Sequence, residues 1–289
     1  MEQAAKERLH ELAQFLKTRR ARISPEQAGL PTEGRRRTPG LRRAEVAQLS
    51  GISVDWYTWL EQARDIQVSA QVLECIARTL RLDDNERSHL FLLASQSLPA
   101  ERTPAESVIP PTLQRFLDQQ EASPALVTDP RLDIVAWNPL ATEIYGNYGA
   151  MSARDRNAVW RTFMSPYVRQ LLRENWESHA RHRLASFRAN YGKYPGDPWW
   201  MAFIEELNQA SEEFRAWWPQ HHVMSGPEGQ KINYHPTAGL LIFDQISFQV
   251  TNAPHLTVTI NVPANDDTIA KVKKLQSRAG GEKKRQPIV

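Results

Sequence analysis

Apolar residues recur at intervals of three and four through the first hundred positions, and alternation with polar residues dominates only beyond residue 220. Leu9, Leu12, Ala13 and Leu16 predict an amphipathic helix over residues 3–20. Pro25, Gly29, Pro31, Gly34 and Pro39 then break the pattern around Arg35, Arg36 and Arg37, which reads as an extended basic loop. Helical spacing resumes with Val46 and Leu49 on the core side of a second helix and Tyr57 and Leu60 on that of a third. Leu73, Ile76, Ala77 and Leu80 mark a fourth, and Leu90, Leu93 and Ala94 a fifth over residues 84–95. Five helices with short connections predict a compact all-α domain over residues 1–97.

Pro99, Pro104, Pro110 and Pro111 among small polar residues make 98–111 an expected linker. The second domain is expected over 112–265, opening with a short helix at Leu113, Phe116 and Leu117. Residues 125–128 and 132–137 read as strands joined by a turn at Asp129, Pro130 and Arg131. Residues 166–190 carry one long helical pattern, followed by helices over 198–208 and 212–218. Strands are expected at 221–224, 230–234, 239–247 and 255–262, with turns at Gly226-Pro227 and Asn252-Ala253-Pro254. Strands at both ends with helices between them imply an α+β domain built on an antiparallel sheet. Residues 266–289 are expected as a basic C-terminal tail.

A chain of 289 residues, 41% hydrophobic, has material for two cores. Its single cysteine, Cys75, rules out an internal disulfide and fits a reducing, cytoplasmic setting. No apolar run reaches the roughly 20 residues that span a bilayer, so membrane insertion is not expected. The net charge of +3 is unevenly spread, with 11 basic and 5 acidic residues before position 44 and 7 against 1 from position 271 onward. Residues 44–100 are acidic on balance, so attraction to phosphate must come from local clusters.

The second and third helices point to such a cluster. A helix pair that lays one helix in the DNA major groove needs a small or left-handed residue at its turn and a small residue before it. Gly51 and Ala47 occupy that region. With the apolar side packed inward, Val54, Asp55, Thr58 and Trp59 are left to face base edges, Thr58 by its hydroxyl or methyl and Trp59 against thymine methyls. Asp55 has two readings, acceptor for cytosine or cap of its own helix. Arg43 is a candidate for guanine or phosphate, and Arg42, Gln62 and Arg64 for the phosphate backbone. The alternative is a helical interaction bundle in which Trp56 and Trp59 are packing residues.

The stretch from Leu41 to Leu93 resembles the Xre/Cro-type helix-turn-helix domain, and its MmyB-like branch in particular. The resemblance rests on Arg37-Thr38-Pro39-Gly40-Leu41-Arg42-Arg43, on Trp56-Tyr57-Thr58-Trp59-Leu60-Glu61-Gln62 and on Asp84-Asn85-Glu86-Arg87-Ser88-His89-Leu90. Trp59 departs from the branch, which usually has a basic or smaller residue there, and Ala63 stands where Gly is frequent. Residues 124–127, 135–140, 197–198 and 235–236 extend the resemblance through the second domain. It implies a PAS-like ligand-binding fold and a one-component regulator that takes an apolar ligand, a fatty acid or other acyl compound being the leading candidate, with no further cofactor.

Seven of the nine tryptophans lie beyond the linker. Trp137, Trp176, Tyr145 and Phe163 are candidates to line an apolar pocket, and equally candidates for plain core. An acid head group needs a fixed cation or donor, for which Arg169, Arg188, His222 and His235 are candidates, with Asn138 and Asn157 as neutral donors. His179, His182 and the His221-His222 pair lack the spacing of a metal site, since adjacent strand residues face opposite sides. Residues 226–231 lack the form of a phosphate loop. No catalytic site or metal is therefore expected. The expected partners are a double-stranded DNA operator, a small apolar ligand and a second copy of the chain. A DNA-tethered acyl-processing enzyme and a protein-interaction sensor are the alternatives.

Overall fold

The computed structural model describes residues 2–31, 40–94, 108–194, 197–224 and 228–283. The Arg35–Arg37 loop, most of the expected linker and the Gly226-Pro227 turn lie outside the described residues. Two compact units are present. The first holds residues 1–102, 188–209 and 215–225, and the second holds 103–187, 210–214 and 226–289.

In the first unit, α1 (Glu2–Arg22), α2 (Arg43–Ser50), α3 (Val54–Glu61), α4 (Ala70–Thr79) and α5 (Asp84–Ala94) enclose a core of Leu12, Phe15, Leu16, Val46, Tyr57, Leu60, Ile76, Leu90 and Leu93. Local chemistry sets the helix starts. Ser53 and Ser69 cap α3 and α4 by accepting the backbone N–H groups of Trp56 and Val72. Asp83 and Glu86 form a reciprocal capping box at α5. Gly40 passes so close to α1 that a Cβ would lie 2.4 Å from the Arg20 carbonyl oxygen, so only glycine fits there. Leu49, expected inward, is exposed. Val46, Ala47 and Ser50 form the buried stripe of α2, and at 100° per residue Leu49 lies past its edge, beside Val46 but about 160° around the helix from Ala47.

The second unit is built on a five-stranded antiparallel sheet of order β2-β1-β5-β4-β3, made by β1 (Ala125–Thr128), β2 (Ile134–Trp137), β3 (Gln230–His235), β4 (Gly239–Val250) and β5 (Ala253–Pro263). The turn between β1 and β2 is tied by the Asp129 carboxylate, which accepts the Asp133 N–H at 2.9 Å. α6 (Pro111–Asp118) packs Leu113 and Leu117 on Val127, Leu256 and Val258. Leu241 and Phe243 of β4 lie in another core cluster with α7 (Pro139–Tyr145) and α13 (Asp266–Lys283). Residues expected as a tail thus include a helix that buries Val272 and Leu275. α8 (Ala158–Met164) and α9 (Pro166–Leu172) follow α7 in sequence.

The single helix expected over 166–190 is instead two, α9 and α10 (Trp176–Tyr191), separated by a 3-10 turn at Arg173–Asn175. Arg173 takes a φ of 46°, its guanidinium lies 4.4 Å from the Tyr234 ring centroid, and Tyr234 donates to Glu174. These tertiary contacts outweigh the continuous helical pattern. α10 divides between the units at Arg188. α11 (Pro198–Ala210) falls in the first unit except its last residue, and α12 (Glu212–Trp217) divides between them.

The strand expected at 221–224 is absent. His221 has a φ of 51°, and its carbonyl accepts from Arg19, which withdraws that backbone from any ladder.

Candidate functional site

The turn between α2 and α3 is closed by Gly51, whose φ of 69° places it in the left-handed region. The Ile52 N–H bonds back to the Ala47 carbonyl at 3.0 Å, and Ala47 is fully buried. A larger residue there would push the helices apart. The pair then presents one continuous face of α3, in which Val54, Asp55, Trp59 and Gln62 are exposed and Thr58 is half-buried. Arg64 follows the helix and lies 5.7 Å from the Trp59 ring centroid, which orders both side chains over that face. Ser53 is the capping residue, and Asp55 sits in the first turn. There its charge favours the helix N-terminus.

Arg42 is exposed just before α2, its backbone N–H held by the Glu45 carboxylate at 2.6 Å. Arg43 is also exposed as a residue, yet its Nε donates to Glu61 at 2.7 Å. Glu61 was not singled out by sequence reasoning. It is fully buried, and Arg20 grips it through two nitrogens at 2.6 and 3.1 Å. A buried carboxylate shared by two arginines locks α1, the start of α2 and the end of α3 into one geometry. Nothing local in the sequence distinguishes Glu61 from an exposed helical glutamate.

In the second unit a cavity of about 70 Å³ lies between the sheet and α7 to α10. Leu126, Ile134, Ala158, Val168, Leu171 and Leu172 make its apolar wall. Tyr145, Tyr148, Arg161, His179, Arg183, Lys231 and Asn233 make the polar wall. Two periodicities create that wall: Lys231 and Asn233 are two apart on β3, and His179 and Arg183 four apart on α10. His179 Nδ1 is paired with Glu228, while burial, reinforced by Lys231, pushes its pKa down to about 4. Burial also lowers Lys231, to about 8, against the pull of Glu228 and with the push of Arg183 and Arg161. Arg161 donates to the Tyr145 carbonyl at 2.6 Å and reaches Met151 Sδ. A second groove of about 400 Å³, lined by Met151, Trp160, Met164 and Tyr167, shares Tyr145 and Arg161 with this cavity.

Of the ten residues singled out for the ligand, Tyr145 lines this cavity. Asn138 and Asn157 are buried helix caps. Asn157 accepts from Val159 and Trp160 and donates to the Arg131 carbonyl and Asp133. Trp137 packs against Tyr148, and Phe163 against Trp176 and Phe214. Arg169 lies 3.7 Å over the Trp176 ring and pairs with Glu213 at 2.6 Å. His235 is held by the Glu143 carbonyl at 3.0 Å and accepts the Ala238 N–H at 3.1 Å, so it organises the β3–β4 turn. His222 is exposed.

Arg188 belongs to the first unit, fully buried, where it pairs with Glu11 and stacks 3.6 Å over Trp218. His221 Nδ1 is 3.1 Å from the same carboxylate. Burial works against the Glu11 charge, yet Arg188 and His221 hold its pKa down to about 2.

Among the described residues no group of three His, Cys, Asp or Glu side chains is placed to hold a metal, and no helix is long and apolar enough to cross a membrane. A helix-turn-helix pair joined to a second, sheet-based domain with a cavity is the plan of a ligand-binding transcription regulator. Family comparison agrees: a helix-turn-helix domain model matches residues 11–90, and the model of the MmyB-like transcription regulator ligand binding domain matches residues 109–275. The second match covers more than half of the chain, which belongs to the MmyB-like transcription regulators. No curated protein matches the chain.

Proposed function

We propose that this protein is a one-component regulator in which a small acyl ligand, a fatty acid being the leading candidate, enters the second domain and changes the affinity of the helix-turn-helix pair for its operator. The observation that carries the reading is the cavity itself, which lies within the residues matched by the ligand-binding family model and is lined in part by Leu126, Ile134, Ala158, Val168, Leu171 and Leu172. A neighbouring groove of about 400 Å³ shares Tyr145 and Arg161 with it. Val54, Asp55, Thr58 and Trp59 face the bases, and Arg42, Arg43, Gln62 and Arg64 the backbone. Arg43 can do so only while keeping its Glu61 contact, so its share in base reading is small. The regulator acts as a homodimer on paired half-sites, as helix-turn-helix proteins do.

The test is to select an operator from random DNA with the purified protein and then titrate it with and without acyl compounds of graded chain length. At least a tenfold change in operator affinity with one of them is expected. Unchanged affinity across the series sinks the switching reading.

A further inference from the structure

Helix α3 presents a face with no cation of its own. From Val54 to Glu61 there is no lysine or arginine, so the commonest specific base contact, a cation on guanine O6 and N7, is not open to the helix itself. Arg43 is tied to Glu61, and Arg64 lies over the Trp59 ring. What α3 exposes instead is largely apolar: Val54 is 46% and Trp59 36% exposed. Trp56 packs against the core of the first unit, whereas Val54 and Trp59 are not part of that cluster. On the second helix of a helix-turn-helix pair, the groups that bury such side chains are base edges.

The indole is also held in place. Ala63, at a φ of 59°, turns the chain after α3 so that the Arg64 N–H returns to the Trp59 carbonyl at 3.0 Å. The Arg64 guanidinium then lies 5.7 Å from the ring centroid, so backbone and side chain of one residue fix the other. A ring already restrained loses little further freedom on contact. Asp55 lies one turn before Trp59 on the same side of the helix. Its carboxylate accepts and does not donate, so beside the indole it favours a 4-amino over a 4-oxo pyrimidine.

We propose that Trp59, positioned by Arg64, and Val54 seat the C5-methyl groups of pyrimidines, so that operator recognition depends on those methyls more than on hydrogen bonds to guanine. The C5-methyl is the apolar group that a base presents in the major groove, carried by thymine and by 5-methylcytosine. The assignment rests on the operator-binding reading above. It adds the chemical group that is read, Trp59 and Val54 as specificity-determining residues and Arg64 as a positioning residue. Burial of one methyl is worth about a fourfold change in affinity.

The experiment starts from an operator selected from random DNA with the full-length protein, in parallel with and without octanoate as a short acyl compound. Affinity is then measured by fluorescence anisotropy on duplexes in which each thymine in turn is replaced by uracil, which removes the methyl alone. Uracil is expected to weaken binding about fourfold at one or two positions of each half-site. At those positions a C·G pair in place of T·A is expected to bind less well, and 5-methylcytosine to recover about fourfold over cytosine. Either order of thymine and 5-methylcytosine supports the seat; preference for 5-methylcytosine makes methylated cytosine the source, with Asp55 on its amino group, and preference for thymine makes thymine the source. In Trp59→Ala the thymine-to-uracil ratio is expected to fall to unity at the position that Trp59 reads. In Arg64→Gln the ratio is expected to shrink there as well, whereas loss of a phosphate contact alone weakens all duplexes alike and leaves it unchanged. Both residues are exposed, and the wild-type uracil series is decisive without the variants. Uracil tolerated within twofold at every thymine overturns the seat, as does a full ratio in Trp59→Ala, and an unchanged ratio in Arg64→Gln removes its positioning role. The two readings fail separately. Enrichment of no sequence sinks operator binding and the seat together; an enriched operator that tolerates uracil throughout leaves operator binding standing without the seat.

Discussion

Replacing Asn138 by alanine separates a structural from a ligand-binding role at a buried polar residue of the second domain. The side chain is 1% exposed and makes four hydrogen bonds. Its Oδ1 accepts from Ala125 and Ala141 at 3.0 and 2.9 Å, and its Nδ2 donates to the carbonyls of Gln120 and Ser123 at 2.8 and 2.9 Å. One side chain thus starts α7, anchors the first residue of β1 and closes the loop after α6. At a net ~1 kcal/mol per hydrogen bond the loss is about 4 kcal/mol. Water entering the vacated space offsets part of the cost and the orphaned backbone groups add to it, so 3–5 kcal/mol brackets the expectation. Asn138→Asp keeps the acceptor and turns two donors into a carboxylate facing two carbonyls, so it destabilises as well. The assay is urea unfolding followed by fluorescence, with exchange protection at the Ala125 and Ala141 amides reporting the lost bonds directly. Octanoate affinity of the folded fraction should be unchanged. A loss below about 1 kcal/mol, or unchanged unfolding with selective loss of octanoate binding, would refute the reasoning.

Ala63 sits at a φ of 59° just after α3, where an L residue costs ~1–2 kcal/mol in steric strain and glycine avoids that strain for a larger loss of backbone freedom of ~0.4–1 kcal/mol. Ala63→Gly is expected to raise the stability of the first unit by about 0.5–1 kcal/mol in urea unfolding, and a lowered midpoint would count against the strain argument. Acid should unfold the first unit through two groups. Burial lowers His89 to about 3, so the native state refuses a proton that the unfolded chain takes up, and stability is complete above the ordinary value of 6.5 and lost as pH falls toward 3. Glu11, held near 2, adds a second loss between 4.5 and 2. A decline on the order of 3–5 kcal/mol is expected for the first step, and His89→Phe should flatten it; an equally steep decline in that variant would remove His89 as the cause.

The DNA-binding half is legible in the sequence because its signals are local. Gly51, Ala47 and the helical spacing of Val46, Tyr57 and Leu60 are short-range requirements of a helix pair, and the structure meets them with a left-handed Gly51 and a buried Ala47. The sheet is legible where strands alternate, at 230–235 and 253–263, but not at 221–224, where a long-range hold on the His221 carbonyl prevents a strand. The cavity's polar wall is not legible in the same way. Lys231 and Arg183 look like any exposed strand lysine and helix arginine until the topology turns β3 and α10 toward each other. Asn138 and Asn157 mislead for the complementary reason: they precede Pro139 and Ala158 as helix caps, a role their position in the sequence does permit, and capping consumes the donors that a ligand would need.

Arg161 and Tyr145 line both the cavity and the neighbouring groove, and Arg161 donates to the Tyr145 carbonyl between those two residues. For the ligand proposed above, that placement would set a time constant. If the proposed ligand occupied both spaces, its release would wait on that bond yielding, a local rearrangement slower than diffusion, and the occupied state would outlast brief falls in ligand concentration. A regulator built this way averages its surroundings over time instead of following each fluctuation.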